Sequence, residues 1–174
     1  YSDGPIFCRY PRGEGEGVDI TDIIQDVKIG KGRIIKRGKD LAILALGTRV
    51  GAALKVADHL LQDNLEITVA DARFAKPIDT ELLEKLWDEH QKLIIIEEGS
   101  AGGFSSHCLH FLSSKDLLNK HDKEIKCLTM PDNFQDHASQ KEQLAKAGLD
   151  TDGLMKVVCK MIPLSNVKNK SITN

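Results

Sequence analysis

The sequence predicts an α/β fold in three layers: a mostly parallel five-stranded sheet with one antiparallel strand and helices on both faces. Three observations carry this. Between Gly30 and Pro163 short β runs alternate with amphipathic helical stretches. One run, residues 41–46, is apolar throughout, as a central strand covered on both faces must be. Helix-start residues, Thr48 and Asp79, stand ahead of helical stretches.

The elements follow in chain order. Residues 33–36 read as a short strand, and the turn Arg37-Gly38-Lys39-Asp40 should fold it back on 41–46 as a hairpin. Gly47-Thr48 opens a helix to about Gln62, with Thr48 as N-cap and Val50, Ala53, Leu54, Ala57 and Leu60 or Leu61 on one face. A strand at 66–71 comes next. Asp79 caps a helix that turns Leu82, Leu83 and Leu86 inward and runs to His90, before a strand at 92–97. A glycine-rich turn, Gly99 to Gly103, precedes a helix to about Leu118. A strand at 125–130 then leads through Pro131 to a short helix at 140–147 and a last one near 152–161. Right-handed crossovers between parallel strands satisfy this order, with the hairpin supplying the antiparallel strand.

Composition narrows the function classes. A chain of 174 residues suits one domain, and 41% apolar with 29% charged residues suits a globular one. No apolar run reaches bilayer length, so no membrane partner is expected. A net charge of -2 with one Trp, two Tyr and five Phe offers nucleic acid neither a basic stripe nor a stacking platform. Cys8, Cys108, Cys127 and Cys159 lack zinc-site spacing and read as free thiols of a reducing cytoplasm. The start at Tyr1, without an initiator Met and in a turn-rich string, leads to the expectation of a domain cut from a larger enzyme and inactive alone. Residues 1–26 are expected to be poorly ordered or held only by a neighbouring molecule, and 164–174 to be a disordered polar tail.

Candidate site residues fall in four places. Arg9-Tyr10-Pro11-Arg12-Gly13 sets two guanidinium groups on a rigid turn, which can grip a phosphate or carboxylate, or be a solvated basic turn. Asp71-Ala72-Arg73 lies past the carboxyl end of a strand, where Arg73 with Asp71 or Asp79 reads as a structural clamp. The stretch from Glu97 to His107 enters a helix through glycines but matches neither nucleotide fingerprint, and Glu97 and Glu98 put negative charge where an anion would sit. A tight strand-to-helix turn is the expected role. His107 and His110 lie one turn apart without a completing ligand, which favours a helix-surface or subunit-contact role. Asp136 could orient His137 as an acid/base pair, with no nucleophile nearby in sequence.

Taken in order, Gly4-Pro5, Arg9-Tyr10-Pro11-Arg12-Gly13, Ile29-Gly30-Lys31-Gly32, Val69-Ala70-Asp71-Ala72-Arg73-Phe74, Lys76-Pro77-Ile78-Asp79, Glu97-Glu98-Gly99 and Gly102-Gly103 resemble 1-deoxy-D-xylulose-5-phosphate synthase. Met130-Pro131-Asp132, His137 and Gln143-Leu144 continue the match, so that it covers Gly4 to about Met161. The resemblance implies a transketolase C-terminal domain at 27–163. It makes 1–26 the end of a pyrimidine-binding domain with its linker.

The family is a transferase that uses thiamine diphosphate and Mg to condense pyruvate with glyceraldehyde 3-phosphate, losing CO2, on the non-mevalonate isoprenoid route. It also implies a homodimer in a bacterial cytoplasm or a plastid-type organelle. The cofactor groups lie in portions absent here, so this chain is expected to bind neither cofactor nor metal, to catalyse nothing, and to pack against the enzyme's remaining domains. Arg12 matches the family's substrate-phosphate arginine, and Arg9 is a candidate by proximity. The corresponding domain of transketolase or of a pyruvate dehydrogenase β subunit, and a free-standing anion-binding module, are the competing readings.

Overall fold

The computed structural model describes residues 3–10, 27–119 and 122–162. Most of the expected segment 1–26 and all of the expected tail 164–174 therefore lie outside the described residues. The elements run β1 (Arg33–Lys36), β2 (Leu41–Ala45), α1 (Arg49–Leu61), β3 (Ile67–Asp71), α2 (Thr80–Glu89), β4 (Lys92–Ser100), α3 (Phe104–Ser114), a 3-10 turn (Leu117–Asn119), β5 (Glu124–Met130), α4 (Gln140–Ala147) and α5 (Thr151–Met161). The five strands form one sheet in the order β1-β3-β2-β4-β5, all parallel except β1 against β3.

Alternation along the central strands builds the three layers. Leu41, Ile43 and Ala45 of β2, with Ile67, Val69, Ile94 and Ile96, face α1 and α5 through Val56, Leu60, Leu154 and Val158. Ala42 and Leu44, with Ala70, Leu93 and Ile95, face α2 and α3 through Leu83, Leu86, Trp87, Cys108 and Leu112. Every residue of β2 is buried, because helices cover both of its faces.

One expectation fails. β1 and β2 are consecutive but do not form a hairpin; β1 pairs with β3, Arg33 opposite Asp71 and Ile34 opposite Ala70. The turn between them crosses the start of β3 instead. The backbone N–H groups of Lys39 and Asp40 donate to Glu66 O at 3.0 Å, and Gly38 N–H donates to Thr68 Oγ1 at 2.9 Å. A Cβ on Gly38 would sit 2.3 Å from the Glu66 carbonyl carbon, so the crossing needs glycine. An all-apolar strand is best covered when parallel neighbours take both of its edges, which sends the amphipathic β1 to the rim.

At this same end of the sheet Lys123 closes α2. Its ammonium donates to the carbonyls of Trp87, Asp88 and His90 and lies 5.6 Å from the centre of the Trp87 ring. His90 is buried beside it, its ring nitrogens facing Leu86 O on one side and Thr68 Oγ1 with Gly38 O on the other. This polar knot locks the β1–β2 turn, the start of β3 and the end of α2 together.

Candidate functional site

In an open parallel sheet, ligands settle beyond the carboxyl ends of the strands. They settle above all where neighbouring strands send their connections to opposite faces. Here that point lies between β2, which continues into α1 on one face, and β4, which continues into α3 on the other. The residues that emerge there are Gly47-Thr48-Arg49 and Glu97-Glu98-Gly99.

The crevice is filled by the chain itself. Arg49 is buried, and its Nε donates to Glu98 Oε1 at 3.0 Å while Nη1 donates to Leu149 O at 2.6 Å. The Thr48 hydroxyl donates to the same Glu98 oxygen and accepts from Arg49 Nη2 at 3.1 Å. Thr48 is therefore not the side-chain N-cap that the sequence suggested. Its backbone is already helical and its hydroxyl is turned to Glu98, because a buried guanidinium next door demands an acceptor. The ion pair ties β4, the first turn of α1 and the α4–α5 corner into one unit.

The glycine-rich turn is filled as well. Glu97 is buried, and its carboxylate accepts from Phe104 N–H at 3.0 Å, Ser105 N–H at 2.7 Å and the Ser105 hydroxyl at 2.8 Å. The anion at the positive end of α3 is thus a side chain of the preceding strand. A Cβ on Gly99 or on Gly103 would stand 2.5 or 2.6 Å from Glu97 Oε2. Both glycines make room for that carboxylate. The structure agrees with the turn reading and supplies its cause, while β4 runs on through Ser100 rather than stopping at Glu97. The missed signal was an acidic residue at the end of an apolar strand with glycines between it and the next helix.

The remaining candidates divide. Asp71 holds Arg33 Nε at 3.3 Å and Arg73 Nε at 3.8 Å, and accepts from Arg73 N–H at 3.0 Å, so Arg73 is part of the expected clamp. Asp79 caps α2 through Leu82 N–H at 3.1 Å and also accepts from Gly32 N–H at 2.9 Å. His107 and His110 are exposed on α3, and no group of three or more metal-ligating side chains occurs among the described residues. Asp136 and His137 are both exposed and do not hydrogen-bond each other; Asp136 engages Gln143 through its backbone carbonyl at 3.0 Å. Arg9 is exposed, with Nη1 3.7 Å from where a Cβ on Gly99 would stand, which brings its guanidinium to the last part of β4. Arg12 lies outside the described residues.

Two thiols belong to this neighbourhood. Burial pushes Cys108 up to about 12, with Cys127 and Glu97 adding to the rise, and burial likewise raises Cys127. Neither has the electropositive setting that makes a reactive thiolate.

The architecture is that of a parallel α/β domain whose two ligand-prone turns are occupied by its own carboxylates. Residues 30–154 match the family of the transketolase C-terminal domain, and the chain belongs to that family. Among solved structures, it is similar to a split-gene transketolase in the form of an inactive β4 tetramer. The identity is 29% and the TM-score 0.69, over 79% of this chain and 44% of that one. It also matches transketolase from Campylobacter jejuni at 21% identity and a TM-score of 0.49, over 79% of this chain and 20% of that one. The chain spans less than half the length of either structure.

Proposed function

We propose that this chain is the non-catalytic C-terminal domain of a 1-deoxy-D-xylulose-5-phosphate synthase, a transferase that condenses pyruvate with glyceraldehyde 3-phosphate. The observation that carries the non-catalytic part is the internal filling of both turns. Glu97 occupies the amides of α3, and the Arg49–Glu98 pair occupies the crevice between β2 and β4. The described residues do not fit a diphosphate and Mg site, since they include no metal-ligating cluster and their helix-dipole position is taken. On this reading thiamine diphosphate supplies the chemistry from the remaining domains, and this domain packs against them in a homodimer. The split-gene transketolase supports the idea of such a portion without activity of its own. The choice of synthase rests on the ordered strings from Gly4 to His137, the Arg-Tyr-Pro-Arg-Gly string above all.

Arg12 is the residue on which this reading turns, with Arg9 secondary. Only glyceraldehyde 3-phosphate carries a phosphate. In the longer enzyme, Arg12→Ala should weaken use of that acceptor by about ten- to a hundredfold, the worth of a charge-assisted hydrogen bond, and change pyruvate activation far less. Arg12→Lys should recover part of the loss, keeping the charge without the planar fork. Steady-state kinetics with each substrate varied in turn decides it; equal effects on both Michaelis constants, or on neither, would make Arg12 a structural residue.

The transketolase match keeps a second reading in view, the same domain of a transketolase. Assay of the longer enzyme with pyruvate, and separately with a ketose phosphate as two-carbon donor, separates the two.

A further inference from the structure

At the carboxyl edge of the sheet one carboxylate is shared by two guanidinium groups. Arg33 opens β1 and stands opposite Asp71, the last residue of β3. Asp71 Oδ2 lies 3.3 Å from Arg33 Nε and 3.8 Å from Arg73 Nε. Both distances exceed the roughly 2.8 Å of a charge-assisted hydrogen bond, so Asp71 holds the pair together without satisfying it. The neighbouring acids do not make up the difference, because Asp79 and Glu81 face Lys31, at 3.6 and 2.6 Å. Gly32 N–H donates to Asp79 at 2.9 Å, and a Cβ on Gly30 would stand 2.9 Å from Pro77 Cγ, which seats residues 30–33 on 71–79. Lys28 and Lys76, both exposed, flank these segments in sequence and add to the positive charge. The backbone of Arg73 is itself unusual. Its φ is 56°, and Phe74 N–H donates across it to Ala72 O at 2.6 Å. A three-residue turn with a positive central φ is the rare, strained form, and glycine would suit it better. A clamp on Asp71 needs one guanidinium, which Arg33 supplies from the facing strand; strain that places a second one marks a functional position.

We infer that Arg33 and Arg73 form a binding site for a phosphoryl group, carried by a small phosphate ester. The two side chains are 52% and 23% exposed, so a ligand reaches both from solvent. They stand at the edge of a parallel sheet where ligands collect, one strand away from the crevice that Arg49 and Glu98 fill. Asp71 sets the spacing of the pair and competes with the ligand for it. That competition selects the ligand. A carboxylate brings two oxygens and one charge, no more than Asp71 itself, whereas a phosphate brings three oxygens and close to two charges, enough to serve both planar forks. The inference does not depend on which transketolase-type enzyme the domain serves.

The test titrates the 174-residue chain with inorganic phosphate at constant ionic strength and neutral pH, following the arginine side-chain signals by NMR. Arg33 and Arg73 should shift saturably, with a dissociation constant on the order of millimolar, and acetate at the same concentrations should bind more weakly. Arg73→Gly should weaken phosphate binding by about tenfold or more while the urea midpoint holds or rises, since glycine takes the turn without strain. Arg33→Gln, at the exposed rim, should lose binding likewise and serves if the turn variant does not fold. Asp71→Asn keeps an acceptor for Arg73 N–H and removes the competing charge, so it should tighten phosphate binding by about threefold. A purely structural clamp gives the reverse, with no saturable response to phosphate and a lower midpoint in Arg73→Gly. Either of those results overturns the inference, as does acetate binding as tightly as phosphate, or phosphate binding that weakens in Asp71→Asn.

Discussion

Helices α3 and α4 both begin on a glutamate, and they do so in opposite ways. At α4 the arrangement is local. Ser139 Oγ accepts from Glu142 N–H at 3.3 Å while Glu142 Oε2 accepts from Ser139 N–H at 2.9 Å and from its hydroxyl at 2.7 Å, all in solvent. At α3 the glutamate comes seven residues earlier, from the end of a β-strand, and is buried. One motif can be read from four consecutive positions. The other exists only once β4 and α3 are packed, and it removes a charge from water that three donors must hold. The comparison teaches that the turn most like a ligand cradle in sequence can be the one most committed to holding the fold together.

The sharpest way to break the comparison is to delete each carboxylate. Glu97→Ala strands two backbone N–H groups and a hydroxyl in the interior, so we expect a loss of about 3 kcal/mol or more in urea unfolding. Added acetate should recover part of it by entering the vacated cradle. If Glu97→Ala unfolds no more easily than the parent, the carboxylate is not holding α3.

Arg49→Met comes next. It frees Leu149 O and leaves Glu98 without its cation, for an expected cost of about 2 kcal/mol, below that of a fully buried pair because Glu98 reaches solvent. Amide exchange should quicken first around 148–150. Uniform quickening across β2 and β4 would show that the pair supports the sheet rather than the α4–α5 corner.

The α4 box should give the smallest effects. Ser139→Ala should lose about 1 kcal/mol, and the loss should appear as fraying confined to α4. Glu142 is held below its ordinary value of 4.5, first by the Ser139 hydroxyl and then by the Ser139 backbone. Its contribution is therefore complete above the ordinary carboxylate range and fades as pH falls through the lowered value. Melting curves of the parent and Glu142→Gln should differ near neutrality and converge in acid. A gap that persists at pH 2 would count against the box.

These contrasts also explain what the sequence disclosed. The five strands, the helix faces and the Asp79 cap were legible because period, apolar runs and helix-start chemistry are local signals. The partner of β1 was not, because nothing in residues 33–41 records that the turn will cross Glu66 rather than double back. Thr48 was misread for the same reason. Its position was that of a cap, but the acceptor that claims its hydroxyl stands fifty residues away on Glu98. The ammonium of Lys123 over the end of α2 is likewise a meeting of distant segments. At the candidate site the sequence indicated the carboxyl edge of the sheet, and the structure added that this edge is already filled.

Cys108 carries a consequence for alkaline solution. Its thiol, raised to about 12 on the inner face of α3, keeps its proton in the folded chain long after an unfolded chain would release it near 9. Below that value the two states hold the proton alike and nothing changes. Above it the unfolded state gains by ionising and the folded state does not. Resistance to urea should therefore decline by about 1 kcal/mol for each pH unit between 9 and 12 on account of this one group. Replacing it with Ala should lower the plateau, since a buried side chain is trimmed, and flatten the decline. The thiol that makes no bond in the fold would then mark where base begins to open it.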